Sequence, residues 1–325
     1  IAKLCGFTKE FLKSATDWCH RGIVWKQNKN PLIANCKFSA KQRSAPGCLL
    51  GQNPDNNSIL DREFGCYICD SKEKVKIFQL KPHSQEPNRN IFGIIAYFES
   101  LGDHDYIDYN LVKIFICPTC YFASAEKDLF KKLGKDESSK TFANKQFKEF
   151  WLKDIDQRKS LFKDSREEIS SIKRSLATVV KSYTLAIKAA KALSKLNKDQ
   201  SFDWQVVTLL LTLSEILMSN GNEEKAEEYL EQARVVADDL FKNASNTLIA
   251  IRSARLLFFI ALYQNDLRIA GPFVDYIRQL YQDNFDSLKQ NEQVVLKKVF
   301  GETQKALKDR SDYKKENLFG FHMEV

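Results

Sequence analysis

Residues 117–133 read CPTCYFASAEKDLFKKL and begin with two cysteines that are separated by two residues. A second pair with the same spacing, Cys66 and Cys69, lies upstream in the segment FGCYICDSKEKVKIFQL. A two-residue gap lets both sulfurs of a pair reach one ion from a single tight turn, and two such turns complete the tetrahedron that zinc prefers. The sequence therefore predicts that Cys66, Cys69, Cys117 and Cys120 are the ligands of a structural Zn²⁺ ion.

The two pairs are separated by residues 70–116, an insert of 47 residues, against about 15 to 20 in a compact zinc ribbon. Within it we expect a loop at residues 81–90, a short helix from Ile91, and a strand from Tyr106 that leads into the second pair. Pro118 suits the turn between the ligands, and a lysine-rich helix is expected after it. His83 and His104 could replace an unused cysteine, but four thiolates satisfy zinc, so both are expected to be surface residues.

Two other chemistries use closely spaced cysteines. A redox dithiol normally lies at the start of a helix in a βαβ setting, and the first 140 residues do not show that alternation. An iron–sulfur cluster also accepts four thiolates, but the bacterial signature that places three cysteines in one run is absent. Structural zinc is the favoured reading, and both alternatives stay open.

The remaining cysteines are Cys5, Cys19, Cys36 and Cys48, and none of them forms a closely spaced pair. A second metal site that uses Cys36 and Cys48, with Cys19 and His20, is conceivable. The favoured reading is that these cysteines are buried free thiols that act as small hydrophobic side chains.

The composition predicts a folded protein with about two domains, because 325 residues with 43% apolar content can bury a sizeable core. We divide the chain into an N-terminal extension of unknown fold (1–60), a module with split CxxC pairs (61–140) and a helical domain (141–325). No run of about 18 apolar residues suggests a membrane span, and the start does not resemble a signal peptide. We expect a cytoplasmic protein.

The amino-acid composition changes after about Thr141, where runs of Lys, Glu, Leu and Ala predict long helices. Residues 165–196 carry apolar residues at helical spacing and predict one long amphipathic helix. Ser201 or Asp203 could cap the next helix. The expected fold class is mostly α, with a small α+β zinc-knuckle module at the N-terminus.

Two helical hairpins are predicted in this half. Residues 203–241 contain two helices joined by SNGN, with Ala226 and Ala233 flanking Leu230 as in the second half of a tetratricopeptide (TPR) repeat. A second hairpin follows, with Ala270 lying 44 residues after Ala226 against about 34 in a regular repeat. A final helix at residues 287–309 and a C-terminal tail complete the prediction. Such TPR-like hairpins form grooves that bind protein partners, whereas a plain helical bundle is the alternative.

These features together resemble an uncharacterised bacterial family, a "domain of unknown function" group, over roughly residues 60–300. The residues that carry the resemblance are Cys66, Cys69, Cys117, Pro118, Cys120, Tyr121, Ala123 and Phe130. The family usually has a proline where this chain has Tyr67, and a glycine where it has Tyr121. The resemblance implies a split CxxC site followed by helical repeats, and it implies no particular reaction.

No common catalytic motif is present: the chain has no glycine-rich phosphate loop, GxSxG or HExxH, and its four histidines are scattered. We therefore expect a non-enzymatic, zinc-stabilised scaffold or adaptor for protein–protein interaction. The alternative is a zinc ribbon that binds nucleic acid through KEKVKIF and YFASAEKDLFKKL. The net charge of +8 is a mild excess of 50 basic over 42 acidic residues and is not concentrated in one patch.

Overall fold

The computed structural model describes residues 58–134, 141–319 and 321–323. The strands are β1 Ile59–Cys66, β2 Val75–Leu80, β3 Gln85–Arg89, β4 Ile95–Ser100, β5 Phe115–Ile116, β6 Ala123–Ser124, β7 Phe130–Lys132, β8 Leu318–Phe319 and β9 His322–Met323. The α-helices are α1 Lys145–Lys153, α2 Ile155–Leu161, α3 Leu176–Asn197, α4 Gln200–Ser219, α5 Glu223–Lys242, α6 Thr247–Tyr263, α7 Leu267–Asp283 and α8 Gln290–Lys308. The predicted class, mostly α with a small strand-rich N-terminal module, is confirmed.

The N-terminal module contains an antiparallel three-stranded sheet in the order β2–β1–β7. β1 pairs with β2 over six residues and with β7 through Phe64, Gly65 and Cys66. Two antiparallel hairpins, β3–β4 and β5–β6, complete the module. The lysine-rich helix predicted after Cys120 is wrong, because that segment forms a short 3-10 turn at Lys127–Leu129 and then β7. Pairing with β1 and burial of Phe130 outweigh its helical propensity.

The insert differs from its prediction in three places. The expected loop at 81–90 contains β3, and the expected helix from Ile91 is a turn followed by β4, so the two form a hairpin. The strand expected from Tyr106 is reduced to the two residues of β5, preceded by a 3-10 turn at Tyr109–Leu111. Gly93 has φ +80 in the hairpin turn, a conformation that glycine adopts without strain.

The long helix predicted from Ser165 begins only at Leu176. Ser175 caps it, with its hydroxyl accepting a hydrogen bond from the Thr178 amide, and residues Glu168–Ser170 form a separate 3-10 turn. Ile169 and Ile172 have helical spacing, but they pack in different hydrophobic clusters. Their spacing therefore comes from two separate tertiary contacts and not from one face of a helix. The cap of α4 is Asp199, and the predicted caps Ser201 and Asp203 lie inside the helix.

The two predicted helical hairpins are α4–α5 and α6–α7, and their turns share a backbone pattern. Gly221 has φ +74 after α4, and the amide of Asn222 donates to the carbonyl of Leu217 at 2.9 Å. In the second turn Asn265 has φ +56, and the amide of Asp266 donates to the carbonyl of Ala261 at 2.9 Å. Both features recur after 44 residues (265 − 221), as do the buried alanines Ala226 and Ala270 (270 − 226). Each turn is a C-cap that satisfies free carbonyls of the preceding helix.

The insert packs against the helical half through its β3–β4 turn. Ile91 and Phe92 belong to the main hydrophobic cluster, which is otherwise built largely from α3–α8. The side-chain amide of Asn90 donates to the buried carboxylate of Glu215 at 2.6 Å, and Arg255 donates to the carbonyl of Phe92 at 3.2 Å. These contacts connect residues more than 100 positions apart and hold the insert against α4 and α6.

The C-terminal residues predicted as a tail form the hairpin β8–β9, which packs on the same turn. Phe321 is fully buried, with its ring 5.0 Å from that of Phe92 and 5.4 Å from that of Tyr263. His322 contacts Glu215, with its Nε2 3.0 Å from a carboxylate oxygen. Aromatic packing of this kind stabilises a short hairpin that would not form alone in water.

The helix α4 is long and apolar enough to cross a membrane when judged by length and composition alone. Two thirds of its apolar window (67%) is buried against other parts of this chain, including the insert and α5. Its apolar surface is thus accounted for by the core that surrounds it.

Candidate metal centre

Two hairpin loops carry the four predicted ligands. Cys66 is the last residue of β1 and lies opposite Phe130 of β7, and Cys69 follows in the loop that leads to β2. Cys117 and Cys120 lie in the loop between β5 and β6, where the Cys117 amide donates to the carbonyl of Phe122 at 2.9 Å. Strand pairing on both sides of each loop fixes where its cysteines point.

The four sulfur atoms form a compact cluster and all lie within 4.8 Å of one another. The Sγ atoms of Cys66 and Cys120 are 3.6 Å apart, as are those of Cys69 and Cys117. Zinc–sulfur bonds of about 2.3 Å in a tetrahedron require sulfur–sulfur distances of about 3.8 Å, whereas a disulfide requires about 2.05 Å. The arrangement therefore fits four ligands around one tetrahedral ion, and all four cysteines are free thiols.

Backbone amides also point at the sulfurs. The amide of Ile68 lies 3.4 Å from the Sγ of Cys66, and the amides of Ser71 and Cys120 donate to the sulfurs of Cys69 and Cys117 respectively. Hydrogen bonds from the thiol of Cys117 and then the other thiols lower the pKa of Cys69. Since N–H donors favour the thiolate over the thiol, this backbone is suited to hold the deprotonated form that binds metal.

The residue after each pair has a left-handed backbone. Asp70 has φ +48 and Tyr121 has φ +58, and their amides donate to the carbonyls of Cys66 and Cys117 at 3.2 and 2.9 Å. This conformation explains why glycine is expected at the position of Tyr121. Here the tyrosine ring stacks on Phe162 at a centroid distance of 5.7 Å, and this contact offsets the backbone strain.

The helical half reaches the centre through Trp151 of α1 and Arg158 of α2. Both donate to the carbonyl of Cys120, Trp151 through Nε1 at 3.1 Å and Arg158 through Nε at 3.4 Å. Arg158 also donates to the carbonyl of Trp151, and its guanidinium lies 4.4 Å from the indole ring centroid. These contacts connect the second cysteine loop directly to the first two helices.

Arg158 is a charged side chain with only 2% exposure, and burial lowers the pKa of its guanidinium. A buried charge needs a compensating partner, and hydrogen bonds to two carbonyls supply only partial negative charge. Four thiolates around one Zn²⁺ would carry a net charge of about −2. The guanidinium is therefore placed to compensate a negative centre at the cysteines, and a negative charge on Cys120 opposes the effect of burial on the pKa of Arg158.

The two loops are further joined by side chains outside the sulfur cluster. The hydroxyls of Ser71 and Thr119 are 2.8 Å apart, and Thr119 donates to Glu73 at 3.0 Å. Three of the cysteines are at most 1% exposed, and Cys69 alone is partly exposed. An aromatic shell covers the site on its protein side and includes Phe64, Tyr67, Phe115, Phe122, Phe130, Phe142, Phe147 and Trp151. The sulfur cluster is therefore largely buried, with Cys69 at its partly exposed edge.

The structure brings together all four predicted cysteines and neither histidine of the insert. Among the described residues, the cluster of candidate ligands contains Cys66, Cys69, Cys117 and Cys120 only. Cys5, Cys19, Cys36, Cys48 and His20 lie outside the described residues.

Sequence reasoning missed Trp151 and Arg158, which contact Cys120 across 31 and 38 residues. Their spacing of seven residues (158 − 151) would place both side chains on one face of a continuous helix. This spacing is the feature of the sequence that could have indicated a shared contact.

Comparison with known proteins identifies one family. The family model described as "Uncharacterized protein conserved in bacteria (DUF2225)" matches residues 59–298, which is most of the chain and includes all four clustered cysteines. No curated protein and no solved structure matches this chain.

Proposed function

This chain belongs to the bacterial family whose model spans residues 59–298, and we propose that it is a zinc-stabilised adaptor that binds other proteins through its helical half. In this proposal Cys66, Cys69, Cys117 and Cys120 hold a structural Zn²⁺ ion. The ion fixes the strand-rich module against TPR-like hairpins. The protein works in the cytoplasm, where reducing conditions keep the four thiols available for metal.

The observation that carries the metal assignment is the packing of four sulfur atoms within 4.8 Å on two hairpin loops. Zinc is favoured over an iron–sulfur cluster because the sulfur–sulfur distances of 3.6 Å match the edge of a single-ion tetrahedron of about 3.8 Å. A cluster of several irons would hold some of its cysteines farther apart, since the four thiolates are divided among two or four irons.

A structural role is favoured over catalysis by the closed coordination. A catalytic zinc keeps one position open for water or substrate, whereas four thiolates complete the tetrahedron. We therefore propose that the protein is not an enzyme at this site.

The adaptor role is supported by the architecture of the helical half. Two hairpins with turns related by a 44-residue offset pack side by side, as in repeat proteins that present binding surfaces. Several large apolar side chains of the helical half are exposed, among them Val235 on α5, Ile269 on α7 and Val294 on α8, at 55, 45 and 66%. Exposed apolar side chains are common on soluble proteins, so they indicate where to place probes and do not define a surface.

The nucleic-acid alternative is not favoured, because stacking on bases requires exposed aromatic rings. The rings of Phe78, Phe122 and Phe130, which lie in the two candidate segments, are each at most 2% exposed. Lys76 in the first segment is paired with Asp61 at 2.8 Å.

The metal is tested by elemental analysis of protein purified without added metal, together with a thiol titration before and after denaturation. We expect about one zinc per chain and four thiols that react only after unfolding or chelation. Iron with visible charge-transfer absorption, or no metal together with thiols that cycle between oxidised and reduced states, would refute the assignment.

The adaptor role is tested by photo-cross-linking in bacterial cells. A photoreactive amino acid is introduced at Val235, Ile269 or Val294 on the helices, and at Leu133 on the strand-rich module as a matched exposed control. We expect one recurrent protein partner from helical positions and not from Leu133. Cross-links to nucleic acid, or none from any helical position, would overturn the adaptor role.

A further inference from the structure

A groove of about 540 Å³ lies between α1, α3, α4 and α5. Its floor is apolar, because Ile187 and Leu210 are buried there at 7 and 0% exposure. Phe150 lines it from α1 and is 43% exposed, which is unusual for a phenylalanine. Tyr229 lines it from α5. The groove can therefore take an apolar side chain from outside.

One wall of the groove is strongly basic. The helix α3 contains four lysines, at positions 181, 188, 191 and 195, and no acidic residue. Lys188, Lys191 and Lys195 line the groove. Lys188 forms an ion pair with Asp154 at 3.6 Å, but within the described parts of the chain no carboxylate lies within 4.0 Å of Lys191 or Lys195. Two exposed ammonium groups thus stand beside an apolar floor.

We propose that this groove binds an acidic amphipathic peptide segment of a protein partner. An apolar side chain of the segment lies on the floor against Ile187 and Leu210, and carboxylates beside it pair with Lys191 and Lys195. This inference rests on the proposed adaptor function and names the chemistry of its partner.

Charge complementarity favours this occupant over the N-terminal part of the same chain. Residues 1–57 contain nine basic and three acidic residues, so their charge has the same sign as the lysine wall. A segment with the opposite sign has to come from elsewhere.

A nucleic acid is disfavoured by the opposite side of the groove. The helix α5 lines the groove through the uncharged Tyr229 and Gln232, but over its whole length it contains seven acidic and three basic residues. A continuous phosphate backbone that ran past this helix would meet repulsion. A short peptide can place its carboxylates toward α3 alone and its apolar side chains in the middle, which fits a groove with one basic wall.

The test measures binding of fluorescein-labelled synthetic peptides to the full chain by fluorescence anisotropy. The probes are helix-forming peptides with Leu and Phe on one face and Glu along its edge, and a matched set with Lys in place of every Glu. The variant K191E/K195E reverses the lysine wall. The variant K297E, at an exposed lysine of α8, controls for a general change of charge.

We expect Glu peptides to bind the wild-type chain and K297E equally, and to bind K191E/K195E at least about tenfold more weakly. We expect Lys peptides to show the reverse preference and to recover binding to K191E/K195E. This charge exchange cannot be produced by a variant that has merely unfolded.

Three results would overturn the proposal. The first is that no Glu peptide binds, and the second is that Glu peptides bind K191E/K195E as tightly as the wild-type chain. The third is that the wild-type chain binds a single-stranded oligonucleotide, or self-associates in sedimentation, and that K191E/K195E does not. Loss of oligonucleotide binding would assign the groove to nucleic acid, and loss of self-association would assign it to a second copy of this chain.

The peptide-binding and cross-linking experiments together distinguish failure of the groove assignment from failure of the adaptor function. If the peptides fail while helical positions still cross-link a protein partner in cells, the groove assignment is wrong and the adaptor function stands. If cross-links are also missing, the adaptor function fails as well.

Discussion

Replacement of Arg158 by methionine is expected to weaken metal binding by about 10- to 100-fold, which corresponds to about 1.4–2.8 kcal/mol. The side chain is 2% exposed and donates to the carbonyl of Cys120 at 3.4 Å. It also stacks on Trp151, with its guanidinium 4.4 Å from the ring centroid. Methionine has a similar length and fills the space without the charge, so the comparison isolates the guanidinium.

The magnitude follows from two opposing contributions. Hydrogen bonds from a charged donor contribute about 1.5–3 kcal/mol each, and a desolvated cation–π contact about 2 kcal/mol. Burial of the charge costs several kcal/mol. In the metal-free protein these contributions nearly cancel, so R158M should change its unfolding free energy little. In the loaded protein the negative centre at the cysteines adds an attraction that methionine cannot replace.

The assay is competition for zinc against a chromophoric chelator, with urea unfolding of the loaded and the chelated protein in parallel. R166M is the matched control, because Arg166 is 56% exposed and pairs with Glu73 at 3.5 Å on the surface. R158K should show an intermediate affinity, since it keeps the charge and loses the planar stacking. Unchanged zinc affinity in R158M, or equal destabilisation with and without metal, would refute the charge-compensation argument.

Three further predictions concern other parts of the fold. F321A should lower the unfolding free energy by about 3 kcal/mol and expose the C-terminal hairpin to limited proteolysis, whereas V294A, at a residue that is 66% exposed, should leave both unchanged. Burial raises the pKa of the Asp108 carboxyl from 3.8 to about 6. Between these two pH values the native state keeps the carboxyl proton and the unfolded state has lost it. The free energy of unfolding therefore falls as the pH rises through this range. Relative to wild type, D108N should therefore gain about 1.3 kcal/mol of unfolding free energy between pH 5 and pH 7 in urea unfolding. A difference that does not change with pH would contradict the titration. Y121G relieves the strain of φ +58 but loses the stack on Phe162, and a net loss of about 2 kcal/mol is expected in the same assay; a more stable variant would show that backbone strain dominates.

The cysteine loops show why this module needs partners from distant parts of the chain. The second loop is held by the two-stranded pairing of β5 and β6 only, and these strands contain two residues each. Short hairpins of this size are not stable alone in water. The contacts of Trp151 and Arg158 with Cys120, and the aromatic shell around the sulfurs, supply the packing that such strands cannot provide for themselves.

The site that the sequence predicted and the site in the structure agree at Cys66, Cys69, Cys117 and Cys120 as a cluster. This was predictable because ligand spacing within each pair is a local property, and a tight turn brings two sulfurs together whatever the surrounding fold. Helix positions in α4–α8 were predictable for a related reason, since amphipathic periodicity extends over several turns in each of them.

The tertiary structure decided the features that depend on contacts across long separations. It placed β3–β4 where a loop and a helix were expected, because burial of Ile91 and Phe92 against the helices outweighs local propensity. It began α3 at Leu176, although apolar spacing continued upstream, because Ile169 is buried in one hydrophobic cluster and the partly buried Ile172 packs against another. It also brought a buried arginine to Cys120 and a groove to one face of α3. The position of the arginine and the shape of the groove depend on which helices pack together. Because hydrophobic burial is non-directional, no local pattern in the sequence determines that packing.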